Sequence, residues 1–304
     1  MRVREAYLRG REHLAASGSE EAALEAEVLL RHALGTDRTG LYTRWEAELP
    51  GEAWERYRDY LDQRARGRPV AYIVGRREFW GLAFAVDERV LIPRPETESL
   101  VEAVLEELAG VEAPVVVDVG TGSGCVAVSL AVALPRTTVC ATDISRDAVE
   151  VARANAARHG VADRVVVLAG DLLQPLPASL RGRVDAVVSN PPYIPAARWQ
   201  ALPVQIRDYE PAVALVAGPA GTEIHARLIA ASADWLAPRG VLALEVAPDQ
   251  AEDVAALARE SGRYQSVRVR RDGGGAPRVV VCRRAAAAEA AGQRREGRGA
   301  GETE

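Results

Sequence analysis

Asn190, Pro191, Pro192 and Tyr193 follow directly on the apolar run "VDAVVS", which has the composition of a buried strand. A simple turn does not need this set. Asn190 carries a donor and an acceptor on one planar group. The two prolines stiffen the loop and leave carbonyls with no neighbouring N–H of their own. Tyr193 adds a flat face. Together they suit a planar NH2 group, with the Asn190 side-chain oxygen and the Pro191 carbonyl accepting its hydrogens and the Tyr193 ring stacking on its plane. An amide or exocyclic aromatic nitrogen is a poor nucleophile because its lone pair is delocalised. Two aimed acceptors favour pyramidalisation and localise that pair, so an electrophile held in line is attacked without a strong base.

A second group of residues describes what else is held there. Gly120-Thr121-Gly122-Ser123-Gly124 joins the apolar strand "APVVVDVG" to an apolar helix, the context of a glycine-rich nucleotide loop. Its glycines let backbone pass close to a ligand. The spacing is neither a dinucleotide fingerprint nor a P-loop, so a diphosphate is not expected, and taken alone the loop also fits a tight structural turn. Asp143 ends the next strand and is placed to accept from both hydroxyls of a ribose; Ser145 serves better as the cap of the following helix. Asp171, in "AGDLLQ", is either a turn residue or the acceptor of an adenine amino group, with Leu172 covering the adenine face. Four strand ends then meet at one sheet edge, where α/β folds bind ligands. A nucleoside carrying a sulfonium methyl fits them.

The elements that position these residues alternate. From Glu96 on, strands and helices follow one another in turn and close with a hairpin around Gly273 to Gly275, which predicts an α/β fold with a parallel sheet covered on both faces. Residues 1–68 carry helical patterning and read as a small bundle, with Ala23, Leu24, Val28, Leu29 and Leu34 on one broad face and Trp54, Tyr57 and Leu61 on another. Ser19 and Gly35 fit start and stop signals. Residues 69–92 read as a β-hairpin linker around Gly81, residues 93–284 as the catalytic domain, and residues 285–304 as a low-complexity, disordered tail.

Composition narrows the class. A chain of 304 residues with 48% hydrophobic content can bury a sizeable core. No apolar run reaches membrane-span length and the first residues are charged, so a cytoplasmic protein is expected. Cys125, Cys140 and Cys282 are widely spaced, and neither a disulfide framework nor a metal site is expected. The net charge of −5 disfavours a protein whose main task is gripping phosphate backbones. All 38 basic residues are arginines. Arg64, Arg66, Arg68, Arg76 and Arg77 form a local cluster that reads as a solvated face or a contact for an acidic partner.

With these residues in hand, the chain resembles the class I S-adenosylmethionine-dependent methyltransferases, and within them the family of release-factor glutamine N5-methyltransferases. "SNPPYI" is shared with several amino-methylating families. The narrower likeness lies in "REFWGLAFAVDERVLIPRPETESLVE", with its Ile92 to Glu98 signature, and in "RDYEPAVALVAG". The resemblance implies a Rossmann-like seven-stranded methyltransferase sheet behind the N-terminal helical bundle. It also implies S-adenosylmethionine as co-substrate at Gly120 to Gly124, Asp143, Asp171, Leu172 and Asn190. The glutamine of the Gly-Gly-Gln motif of peptide chain release factors would sit at Asn190 to Tyr193, and the bundle would recognise the release factor. Arg94, Glu96 and Glu98 would buttress the cofactor pocket or shape the substrate channel, or else serve as a helix cap with first-turn acids. Thr222, Glu223 and Ala247 depart from the family's usual residues.

Other readings share the catalytic loop. Glutamine methylation of ribosomal protein uL3 goes with a signature that diverges after Ile-Pro-Arg, and Pro95 to Glu98 favour the release factor. Adenine-N6 DNA methylation would want a basic groove and a target-recognition region, which the acidic balance does not supply. A binding module on an inactive methyltransferase fold would carry a degraded loop, and Asn190 to Tyr193 are intact.

Overall fold

The computed structural model describes residues 1–286, so most of the expected C-terminal tail lies outside the described residues. The chain divides into two compact units. The first comprises Met1–Arg77, Val86–Glu88 and Leu202–Glu210; the second comprises Glu78–Ala85, Arg89–Ala201 and the described residues from Pro211 on.

The first unit is helical. It contains α1 (Val3–Ala16), α2 (Ala22–Leu34), α3 (Arg38–Thr43), α4 (Gly51–Ala65) and the short α5 (Val70–Val74). Leu14, Leu29, Leu30, Leu41, Tyr57 and Leu61 form its core. The buried face of α2 is Ala22, Ala26, Leu29, Leu30 and Ala33, whereas Leu24 is 54% exposed. The expected face is therefore right at Leu29 and Leu34 and wrong at Ala23 and Leu24. The true stripe repeats at three- and four-residue intervals, and Ala23 and Leu24, although apolar, fall on its outer side. Gly35 ends α2 in the left-handed conformation, as the sequence suggests. The helix starts at Ala22 and Ser19 instead hydrogen-bonds the Glu25 carboxylate. Between Pro69 and Gly75 the chain makes the helical turn α5, so the hairpin is shorter than the sequence implied and runs through β1 (Arg76–Phe79) and β2 (Leu82–Ala85).

The closest approach in this bundle is at Gly10 of α1. A Cβ built there would lie 1.9 Å from the Tyr57 hydroxyl, which donates to the Ala26 carbonyl at 3.1 Å. Alanine is the better helix former by roughly 1 kcal/mol, but the clash dominates. Gly10→Ala is expected to lower unfolding stability by about 1–3 kcal/mol, read by denaturant titration; equal or greater stability would show that Tyr57 moves freely.

The second unit is built on a seven-stranded sheet. Its strands are β3 (Val115–Val119), β4 (Thr138–Asp143), β5 (Val165–Ala169), β6 (Val184–Ser189), β9 (Leu236–Glu245), β10 (Ser266–Arg271) and β11 (Pro277–Arg283). The order is β10-β11-β9-β6-β3-β4-β5, parallel except where β11 pairs antiparallel with β9 and β10. A two-stranded ribbon, β7 (Ile194–Pro195) with β8 (Val216–Gly218), lies outside it. Helices α6 (Glu98–Glu107), α7 (Cys125–Ala133) and α8 (Arg146–Arg158) cover one face, and α10 (Glu223–Ser232) and α11 (Ala251–Glu260) the other. The short α9 (Val204–Arg207) belongs to the first unit.

Alternation along each strand feeds both cores, as with Val116 on one face and Val117 and Val119 on the other. Helix α10 stops at Ser232, and β9 begins at Leu236. Val184 N donates to Trp235 O, which captures this stretch for the sheet before Pro238.

Candidate active site

The four strand ends do meet at one edge, and a cleft of about 200 Å³ opens there. Gly120, Gly122, Asp143, Asp171, Leu172, Asn190 and Pro192 line it. Thr121, Ser123, Gly124, Pro191 and Tyr193 do not, although they lie in the same loops.

The glycine loop shows why. Gly120, Gly122 and Gly124 have φ of 71°, 55° and 80°, a region that disfavours side chains. A Cβ at Gly120 or Gly122 would meet no protein atom within 4 Å, so both face open space, whereas one at Gly124 would meet the Ala152 backbone at 3.2 Å. Gly124 thus serves the packing of α7 on α8. Thr121 points inward and donates to Asp118 at 2.7 Å. Asp118 also accepts from Ala127 N, and burial pushes its carboxyl up to about 7. Asn155 braces the same turn from beneath, donating to the carbonyls of Ser123 and Ala85.

Asp143 has two tasks at once. Its Oδ2 accepts from Gly122 N and its Oδ1 from Ser145 N, both at 2.9 Å. Burial raises its pKa, while the N–H donors of Ser145, Gly122 and Ile144 act against the rise. Ser145 caps α8, its hydroxyl accepting from Ala148 N at 3.2 Å. Each carboxylate oxygen keeps a lone pair for a further donor.

Asp171 is already paired, a contact that nothing in its local sequence announces. Arg227 of α10 pairs with it at 2.5 Å and Gln174 donates at 3.1 Å. Both bonds fall on Oδ2, so Oδ1 keeps its acceptor capacity. Leu172 beside it takes a left-handed φ of 48°, a strained choice for a residue with a side chain and one associated with ligand contacts.

The Asn-Pro-Pro-Tyr loop leaves β6 with its root fixed. Ser189 donates to Val119 O at 2.7 Å. Ile194 N donates to Leu215 O, and Gln250 donates to Tyr193 O at 3.0 Å, so the loop is held at its far end as well. Asn190 Nδ2 donates to the Thr97 hydroxyl at 3.1 Å, which leaves Oδ1 without that partner. Pro191 is buried; Tyr193 is half-buried, and burial first, then the Glu245 charge, pushes its phenol up to about 12.

Sequence reasoning passed over Thr97 and Glu245. Thr97 is buried within the Ile92 to Glu98 signature, between two acids that drew attention instead. Glu245 ends β9 fully buried, and its carboxyl is pushed up to about 7 by burial, against a hydrogen bond from Thr97. Glu98 acts elsewhere in the same unit, accepting from Trp80 N at 2.8 Å where the hairpin turn needs φ of 54°. Among the described residues no cluster of His, Cys, Asp and Glu could hold a metal ion. No helix among them is long and apolar enough to cross a membrane.

Comparison with known proteins identifies the frame. Residues 5–75 match the model of the PrmC N-terminal domain, and residues 96–202 that of the methyltransferase small domain. The release factor glutamine methyltransferase of Moorella thermoacetica is 45% identical over 93% of this chain and 99% of its own. This chain belongs to that family. The family's protein from Chlorobaculum tepidum is 43% identical over 86% of this chain and 90% of its own. Among solved structures, the catalytic domain of hMettl16 in complex with MAT2A 3′UTR hairpin 1 superposes with a TM-score of 0.53. It is 19% identical, covering 74% of this chain and 80% of that one, which speaks for the shared fold alone. As a member of the release factor glutamine methyltransferase family, the chain carries a methyltransferase sheet, and its open glycine loop fits a methyl donor that also carries a nucleoside.

Proposed function

We propose that this chain methylates the side-chain amide nitrogen (N5) of the glutamine in the Gly-Gly-Gln motif of peptide chain release factors, with S-adenosylmethionine as the donor. The observation that supports the reading is the commitment of the Asn190 amide nitrogen to Thr97, which leaves its oxygen available to an incoming NH2 group. S-adenosylmethionine, when bound, supplies a methyl group on a positively charged sulfur.

The residues divide the work. Gly120 and Gly122 let the backbone approach the cofactor, Asp143 accepts from the ribose hydroxyls, and Asp171 Oδ1 with Leu172 receives the adenine. Gly124, Thr121 and Ser123 act by holding the loop. Asn190 Oδ1 and the Pro191 carbonyl accept the hydrogens of the glutamine amide, while Pro192 and Tyr193 shape its slot. As the amide lone pair forms the new N–C bond, the bond from methyl to sulfur would break with its electron pair staying on sulfur, which leaves as a neutral thioether, and the nitrogen then gives up one proton to water. Localising that pair before attack is the contribution of the two acceptors. Specificity for a whole release factor needs more contact area than one loop supplies, and residues 1–68 are the natural source.

The test is to incubate the protein with methyl-labelled S-adenosylmethionine and, separately, release factor, ribosomal protein uL3 and adenine-containing DNA, and to locate the label by mass spectrometry. Label on the Gly-Gly-Gln glutamine is expected. Label on uL3 or DNA alone would retain the chemistry and overturn the substrate.

A further inference from the structure

A carboxylate has two accepting oxygens, and a side chain that turns freely offers either one to a ligand. At Asp171 the two are not equivalent. Arg227 Nη2 donates to Oδ2 at 2.5 Å and Gln174 Nε2 donates to the same oxygen at 3.1 Å, whereas neither donates to Oδ1. An arginine paired with a carboxylate commonly forks across both oxygens. Here it takes one.

Both ends of this contact are anchored. On the Asp171 side, Gly170 N donates to Asp143 O at 2.8 Å and Gln174 N to Asp171 O at 3.0 Å, so the turn is closed by its own backbone and only the side-chain torsions remain to be set. On the other side, Arg227 stands on α10, whose buried face is His225, Leu228, Ile229 and Ser232. Glu223 in the first turn of α10 accepts from Ala220 N and Gly221 N, and the His225 ring meets the Glu245 carbonyl at 2.8 Å. The side chains of Arg227 and Asp171 are 49% and 32% exposed, and an ion pair so open to solvent contributes little to stability. Both residues line the cleft. A contact that carries little of the fold and lies on the ligand wall is best explained by what it does to the oxygen left over.

We propose that Arg227 is a positioning residue that selects the purine of the methyl donor. By pinning Asp171 through Oδ2 it presents Oδ1, an acceptor without a hydrogen, to the 6-position of the bound base. A 6-amino purine donates there, whereas a 6-oxo purine brings a second acceptor and is turned away. The proposal rests on the reading of Asp171 as the acceptor of the adenine amino group.

Binding tests this without turnover. Isothermal titration compares S-adenosylhomocysteine with S-inosylhomocysteine, which carries oxygen in place of the 6-amino group. Wild type is expected to favour the adenosyl ligand by roughly 10–100-fold, the range of one hydrogen bond to a charged group. In Arg227→Ala, where Gln174 alone holds the carboxylate, this ratio should fall about tenfold through weaker adenosyl binding. Arg227→Lys keeps one charged donor for Oδ2 and should retain most of the preference. Asp171→Asn is the sharper variant. Its single oxygen would accept from Arg227 and its NH2 would face the cleft, so the preference is expected to reverse toward the inosyl ligand, and adding Arg227→Ala should cancel the reversal.

A ratio in Arg227→Ala equal to that of wild type overturns the proposal, whether both affinities drop together or neither moves; Asp171 would then keep its role and Arg227 would lose the one assigned to it. Should Arg227→Ala fail to fold, Asp171→Asn decides alone, and the absence of a reversal overturns the proposal. Wild type binding both ligands equally would show instead that Asp171 does not face the 6-position, and the reading of Asp171 would fall together with the role of Arg227.

Discussion

Asn190→Ala is expected to leave a folded protein whose turnover on release factor is at least about 100-fold slower, a loss of roughly 2.7 kcal/mol of transition-state stabilisation. The fold should survive because the side chain carries little of it. Asn190 follows β6, whose last residue pairs with Val119 and Leu244 and is tied by its own hydroxyl to Val119 O. Truncation removes one part-buried hydrogen bond to Thr97, a stability cost of about 1 kcal/mol. The rate suffers more because the lost oxygen acts when the substrate nitrogen develops positive charge. Cofactor affinity should weaken only a few-fold, since the Asp143 contacts remain. Single-turnover rates with cofactor and release factor in excess isolate the chemical step; a rate within about threefold of wild type would remove Asn190 from the mechanism. Asn190→Asp should be no rescue, because a carboxylate has no N–H to donate to the Thr97 hydroxyl and would put a negative charge where the amide nitrogen stood.

The relation between sequence and site explains which of these residues were legible. Val115–Val119, Val165–Ala169 and Val184–Ser189 are short, apolar and regularly spaced by helices, so their order announced a covered sheet without any structure. Gly120 and Gly122 could be read because a positive φ at a strand-to-helix turn has a compositional signature. Thr97 and Glu245 have none. Thr97 meets Asn190 across 93 residues of chain, and Arg227 meets Asp171 across 56. A buried threonine or glutamate looks, in one dimension, like any polar residue near a helix start or a strand end. The same limit misplaced the α2 face, where Leu24 is apolar in the sequence yet solvent-facing, and hid α5, whose five residues are too few to show a helical period. Local pattern reports what each segment needs from its neighbours; it does not report which distant side chain supplies it.

Asp143→Ala should be the most damaging change to cofactor binding, because one side chain serves the loop and the ligand together. Its oxygens accept from Gly122 N and Ser145 N, so its loss leaves two backbone donors to find water and loosens the turn that carries the open glycines. The ribose hydroxyls lose a charged acceptor at the same time. Hydrogen bonds to charged groups contribute about 1.5–3 kcal/mol each, so two of them imply an affinity drop of about 100-fold or more. Asp143→Asn tests whether charge or shape matters. The asparagine has only one accepting oxygen, so one of the two backbone amides would face its NH2 group, and an intermediate loss is expected. Equilibrium dialysis with labelled S-adenosylmethionine gives the affinities, and thermal unfolding without cofactor gives the loop's share. Should Asp143→Ala bind cofactor within about threefold of wild type while unfolding earlier, Asp143 is a brace for the glycine loop alone, and the ribose hydroxyls must find their acceptors elsewhere on the cleft wall.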